Sequence, residues 1–273
     1  MIGRIINHAG VLADRNKRIL KWSSGEFTSN NIGDLLNVYL FEKVFRKEVV
    51  SYRDVLNLGV PPVYSFIGSV LDNSAVKNLT VIGSGFKRES SKMPVKPKKV
   101  ISCRGPLTRE KLLQLGLEVP EVYGDPAILL PEFYNPQVEK KVKMGLIPHY
   151  VDKDLEIVSK WGNKEDVKLI DVFSGMETFI SDIKSCEFTV SSSLHGVILS
   201  HAYGIPSAWS PLSDNLAGGG FKFNDYYQSV DAVCEQIHLQ RFQSPTEVEQ
   251  YVSLPELDRT TKKLLKILES VEI

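Results

Sequence analysis

The sequence predicts an α/β protein of two Rossmann-like domains, each built on a parallel sheet, facing each other across a cleft. Three observations predict it. Apolar runs of strand length alternate with helical patterns through most of the chain. A passage rich in proline, asparagine and charge, residues 131–143, divides that alternation in two. Strand-like runs end in glycine or small polar residues before a helix, as in parallel sheets covered on both faces. A chain of 273 residues suffices for two domains of ordinary size. The expected division is 1–135, 136–255 and a closing segment 256–273.

The first strand is expected over Arg18–Ser23, followed by a helix opened by Asn30-Asn-Ile-Gly-Asp34. Leu35, Val38, Tyr39, Glu42 and Phe45 follow at mixed three-and-four spacing, which keeps the apolar members on one face. Val63–Gly68, Leu79–Gly83 and Lys99–Cys103 read as short buried strands. Pro106 suits a helix start and Gly116 its stop. Beyond the linker, strands are expected at Lys143–Pro148, Val167–Phe173, Glu187–Val190 and Ser207–Trp209. Helices are expected at Lys153–Trp161 and Gly175–Cys186. Leu257, Leu264, Leu265 and Leu268 share one face of an amphipathic closing helix over Glu256–Ser270.

Composition bounds the function. Hydrophobic residues make up 42% and charged residues 24%, as in a soluble globular protein. No apolar run reaches spanning length and no apolar signal core opens the chain, which predicts a cytoplasmic protein. Cys103, Cys186 and Cys234 lie far apart, with no zinc or disulfide pattern. The formal net charge is zero, yet Lys87–Lys111 carries nine basic residues against Glu89 and Glu110. That clustering suits an anionic ligand or surface, or a solvated loop. No aromatic interleaving accompanies it, so nucleic acid is not expected as a partner.

In open parallel sheets ligands sit beyond the carboxyl ends of the strands. The residues there are Asn31, Gly33 and Asp34; Gly68 and Ser69; Gly83, Ser84 and Gly85; Arg104; Asp125; His149; and Ser191, Ser192, Ser193, Leu194 and His195. The set is polar, glycine-rich and partly basic, which suits a phosphorylated substrate. Its centre is the serine turn before His195, where a strand feeds a helix whose first amides favour an anion. The serines either cap that helix or donate to a ligand, and His195 is either a structural histidine or an acid/base. No His, Asp or Glu spacing resembles a metal site, so neither metal nor cofactor is expected.

Seven short motifs stand in a telling order: Asn31-Ile-Gly-Asp34, Ile82-Gly-Ser-Gly85, Ser102-Cys-Arg-Gly-Pro-Leu-Thr108, Tyr123-Gly-Asp-Pro-Ala127, Ile147-Pro-His-Tyr-Val-Asp152, Ser191-Ser-Ser-Leu-His-Gly196 and Ala202-Tyr-Gly-Ile-Pro206. Together they resemble the polysaccharide pyruvyl transferase family, from about Asn30 to Tyr227. The resemblance implies a GT-B-like domain pair and transfer of a pyruvyl group from phosphoenolpyruvate to two sugar hydroxyls, giving a cyclic ketal and phosphate. It also implies that Arg104, and Leu194 with His195, handle the donor. Ser193 stands where many members have arginine, and Gly105 where aspartate is common. Lys87 or Arg88 would be the replacement cation. The expected acceptor is a glycan or lipid-linked sugar, with Lys87–Lys99 available to an anionic inner membrane face.

Two other readings stay open. A GT-B-like glycosyltransferase using a nucleotide sugar would share the architecture, and a non-catalytic carbohydrate-binding descendant would explain Ser193. A dinucleotide oxidoreductase does not fit, because Arg88 follows Gly83-Ser-Gly85 where a third glycine belongs.

Overall fold

The computed structural model describes residues 1–23, 31–213 and 219–273, so Asn30 lies outside the described residues. In the first half the elements are α1 (Ile2–Ala13), β1 (Lys17–Lys21), α2 (Ile32–Phe45), β2 (Glu48–Ser51), β3 (Val63–Ser65), β4 (Leu79–Ile82), β5 (Lys99–Ser102) and α3 (Pro106–Gln114). All pairings are parallel, and the strand order is β2-β1-β3-β4-β5. The second half holds β6 (Val142–Ile147), α4 (Glu156–Gly162), β7 (Val167–Leu169), α5 (Met176–Lys184), β8 (Cys186–Ser191), α6 (Leu194–Ala202) and β9 (Ser207–Trp209). Its sheet is also parallel, in the order β7-β6-β8-β9. Three helices close the chain: α7 (Phe221–Ser229), α8 (Pro245–Glu249) and α9 (Asp258–Ser270).

Local chemistry explains the boundaries that bear on the site. The Asn31 side chain accepts from the Gly33 amide at 3.1 Å and so caps α2. Pro106 opens α3, and Gly116, at φ 76°, takes the left-handed conformation just beyond it. The strand expected over Val167–Phe173 ends at Leu169. Ile170 and Val172 are buried and keep the apolar pattern, but the Asp171 side chain accepts from the Phe173 amide at 2.9 Å and turns the chain. The turn is put to use, since Val172 accepts from the Ile32 amide at the start of α2.

The passage expected as a linker, 131–143, holds no buried residue, and the core ends just before it. A 3-10 helix, Pro126–Glu132, buries Ile128, Leu129 and Leu130 and packs against α2, α6 and α9. Each sheet has one face with its own apolar cluster, around Val63, Val81 and Leu112 in the first and Met144, Trp161 and Val190 in the second. A third cluster runs from Leu20 and Ile82 through Leu129 to Ile147 and Val197, so the two sheets share a core.

Candidate active site

In the first sheet, order reverses at β1, with β2 on one side and β3 on the other. In the second it reverses at β6, between β7 and β8. Such reversals leave a crevice beyond the strand ends, because the connections on either side leave in opposite directions. A single cavity of about 140 Å³ is lined from both places. Ser23 follows β1 and Gly68 and Ser69 follow β3; His149 and Tyr150 follow β6, and Ser193, Leu194 and His195 follow β8. Asn31, Gly33, Asp34 and Asn37 from α2, with Lys87 and Lys222, complete the wall.

His195 is the most constrained member. It sits in the first turn of α6, and its ring crosses to the other half of the molecule. A Cβ on Gly33 would lie 2.2 Å from its Nδ1, and one on Gly68 would lie 3.4 Å from its Cε1. The imidazole therefore occupies a slot that only glycine leaves open at position 33. Its Nε2 is buried without a hydrogen bond and stands 3.7 Å from Oδ2 of the fully buried Asp125. Backbone amides fix that carboxylate: Gly68 donates to Oδ2 at 3.0 Å and Ala127 to Oδ1 at 3.1 Å. Asp125 thus faces the histidine rather than the open cavity, and also caps the 3-10 helix that follows it.

The serine turn divides its labour. Ser191 and Ser192 are scaffold. Ser191 accepts from the Ser193 amide at 2.9 Å and donates to Ile147, while Ser192 donates to Asp152 at 2.7 Å and accepts from the His149 amide at 2.8 Å. Ser193 alone of the three lines the cavity, and its side chain makes no capping bond to α6. Leu194 lines it too.

Electrostatically the cavity wall is mixed. Lys222 is buried, and desolvation chiefly, with Lys87 and Arg104 nearby, lowers its ammonium to about 7. Burial lowers His149 to about 3, helped by Lys222, Lys87 and His195, so it is neutral at physiological pH. Its Nδ1 faces the Val151 amide at 3.4 Å, which leaves the other ring nitrogen as the natural donor. In the same wall, burial raises Asp34 to about 7 against the opposing pull of the Ser23 backbone and Arg53. An anion drawn to the lysines would lie beside a carboxyl able to hold or release a proton near neutrality.

Other expected site residues lie behind this wall. Arg104 is fully buried: Nε pairs with Asp225 at 2.9 Å, Nη1 donates to Ser69 at 2.6 Å and Nη2 to the Phe86 carbonyl at 2.5 Å. It reaches the cavity only through Ser69. Gly83, Ser84 and Gly85 are buried in packing. A Cβ on Gly83 would strike Pro126 and one on Gly85 would strike Arg104, while Ser84 donates to Ser65 at 2.8 Å. The Gly85 amide donates to Gly68 rather than to a ligand position. Arg88 is not part of the wall, whereas Lys87 stands in the same cavity as Ser193.

Lys222 and Asp225 were not among the residues read from the sequence. Both lie on α7, where Asp225 takes Arg104 and the amide and hydroxyl of Thr108 at 2.6–2.9 Å. Gly105 lets α7 approach, since a Cβ there would fall 1.9 Å from the Asp225 carbonyl. A lysine and an aspartate inside the aromatic run Phe221-Lys-Phe-Asn-Asp-Tyr-Tyr227 were the available signal, because charges in such a run are buried and paired. Among the described residues no cluster of His, Cys, Asp and Glu could hold a metal ion.

The profile of a known family, polysaccharide pyruvyl transferase, matches residues 31–211. An uncharacterized protein of Acanthamoeba polyphaga mimivirus is 33% identical over 72% of this chain and 69% of its own length. The succinoglycan biosynthesis protein ExoV of Rhizobium meliloti is 30% identical over 75% of this chain and 63% of its own. A solved structure from Klebsiella pneumoniae, of a protein without assigned function, gives a TM-score of 0.49 at 14% identity, over 87% of this chain and 99% of that one.

Proposed function

This chain belongs to the polysaccharide pyruvyl transferase family and is a transferase; on that premise we propose that it moves a pyruvyl group from phosphoenolpyruvate to two hydroxyls of a sugar. The acceptor would be a surface polysaccharide or its precursor, as the name of the ExoV relative suggests. One observation carries the reading: the reversal points of both sheets open on one small cavity whose wall holds both cations and a protonatable carboxyl. In this reading the halves 1–135 and 136–255 form a GT-B-like pair, and the cavity is the floor of the cleft between them.

The reaction needs a proton on the donor's methylene carbon, a stabilised cation at the neighbouring carbon, and departure of phosphate. Of the two hydroxyl protons lost by the sugar, one is replaced on the new methyl group and the other leaves with phosphate. Lys222, Lys87 and the donor nitrogen of His149 would hold the phosphate and carboxylate. The first amides of α6, which have no acceptor within the helix, add to that anion site. His195, with Asp125 behind it, would deliver the proton to carbon, and Asp34 would take one from the attacking hydroxyl. Arg104 would act through Ser69 rather than touch the donor. Lys87 would stand in for the arginine that Ser193 replaces.

Calorimetry with phosphoenolpyruvate on wild type, His195→Ala and Lys222→Met is the test. Saturable binding weakened in Lys222→Met supports the reading. Binding of a nucleotide sugar instead, with none of phosphoenolpyruvate, overturns it.

A further inference from the structure

Asp152 closes the Ile147-Pro-His-Tyr-Val-Asp152 motif and has no part in the reaction proposed above. It is fully buried, and it ties together the chain leaving three strands of the second sheet. Oδ2 accepts from the Ser192 hydroxyl, beyond β8, at 2.7 Å, and Oδ1 accepts from the Ser213 hydroxyl, beyond β9, at 2.5 Å. Asp152 itself follows β6, and its amide donates to the His149 carbonyl at 2.7 Å. The direction of these bonds matters. A carboxylate only accepts, so the Ser192 proton is committed to Asp152. The Ser192 oxygen is thereby left as the acceptor for the His149 amide, which it meets at 2.8 Å. The His149 backbone is held at both its amide and its carbonyl, and its Nδ1 faces the Val151 amide within the same turn.

Charge is the second contribution. Lys87, beyond β4, and Arg104, beyond β5, oppose the ammonium of Lys222, whereas Asp152 favours it. Asp34, His149 and His195 share the cavity with that lysine. We propose that Asp152 is a positioning residue of the donor site, seating His149 through Ser192 and serving as the buried counter-charge of Lys222. Asp152 is not part of the cavity wall, so it acts through these two residues and not on the donor itself. The inference rests on the donor reading given above.

The test is calorimetric titration of phosphoenolpyruvate at pH 5 and pH 7 into wild type, Asp152→Asn and Ser192→Ala. The asparagine keeps the shape and can still accept from Ser192, with its amide group turned to the Ser213 oxygen, but it carries no charge. Lowering the midpoint of a lysine at about 7 by ~1 pH unit cuts its charged fraction ~5-fold at pH 7 and hardly at all at pH 5. Asp152→Asn should therefore bind ~5-fold more weakly than wild type at pH 7 and within ~1.5-fold of it at pH 5. Loosened packing would weaken binding equally at both. Ser192→Ala keeps the carboxylate and frees the His149 amide, so its loss should be ~5-fold at both pH values. With no donor present, the Nζ resonance of Lys222, identified by its disappearance in Lys222→Met, should titrate ~1 pH unit lower in Asp152→Asn. Wild-type affinity in Asp152→Asn at pH 7, an equal loss at both pH values, or wild-type affinity in Ser192→Ala would overturn the proposal and leave the donor reading intact. No binding by wild type would overturn the donor reading and this role with it. If Asp152→Asn does not fold, the Ser192→Ala result decides.

Discussion

Lys222 should make donor binding depend on pH. Its ammonium has a pKa of about 7 because burial and two neighbouring cations oppose the charge. A phosphate-bearing anion binds only the protonated form, so the apparent dissociation constant grows in proportion to one plus the ratio of neutral to charged lysine. Between pH 7 and 9 that factor rises about 50-fold, or ~2.3 kcal/mol, while a donor phosphate with second pKa near ~6 is already ionised. Asp34, also at about 7, becomes a carboxylate over the same range and weakens binding in the same direction. Calorimetric titrations of phosphoenolpyruvate at pH 7, 8 and 9 would measure the slope. Lys222→Met should bind weakly and keep only the Asp34 part of the slope, Lys222→Arg should lose the lysine part, and Asp34→Asn should keep the lysine part. An affinity unchanged from pH 7 to 9, or a wild-type slope surviving in Lys222→Met, would refute the argument.

Three further outcomes follow from the geometry. Gly33→Ala puts a methyl 2.2 Å from the His195 ring, so kcat should fall ~100-fold or more while the circular dichroism spectrum stays that of the wild type. Asp34→Asn should stabilise the protein at pH 8 but not at pH 4. A carboxyl whose folded pKa is raised from 3.8 to about 7 supports folding at low pH and loses that support as pH rises through 7. Allowing for its partial exposure, the gain in urea denaturation should be ~2 kcal/mol. Asp225→Asn leaves a buried guanidinium without its counter-charge, and chemical denaturation should show a loss of ~3–5 kcal/mol.

The alternation of strands and helices was legible because burial on both faces writes itself as apolar runs, and the Ser207–Trp209 strand falls where it was expected. So was the gathering of Asn31, Gly33, Asp34, His149, Ser193, Leu194 and His195, since strand ends of a parallel sheet point one way. The sequence could not show which polar residues at those ends face inward. Arg104, Asp125, Ser84 and Ser191 have the chemistry of ligand contacts but are spent on partners supplied from distant parts of the chain, as Asp225 is for Arg104. Helix α1 escaped notice because its apolar side faces out, and β2 because its residues are only half buried. Helix α7 mixes charge with aromatics, and its periodicity resolves only when α3 is in place to receive Asp225.

The histidine and the carboxylate behind it come from opposite halves. His195 rides on α6, Asp125 belongs to the chain leaving β5 and α3, and the glycines that admit the ring are at positions 33 and 68. A separation of 3.7 Å is therefore a property of the seam rather than of either sheet. Slippage of a single ångström there would leave both sheets intact and the pair uncoupled. In a denaturant series, turnover should then fail at concentrations where far-UV signal and tryptophan burial are still native, making activity the most sensitive gauge of how the halves are seated.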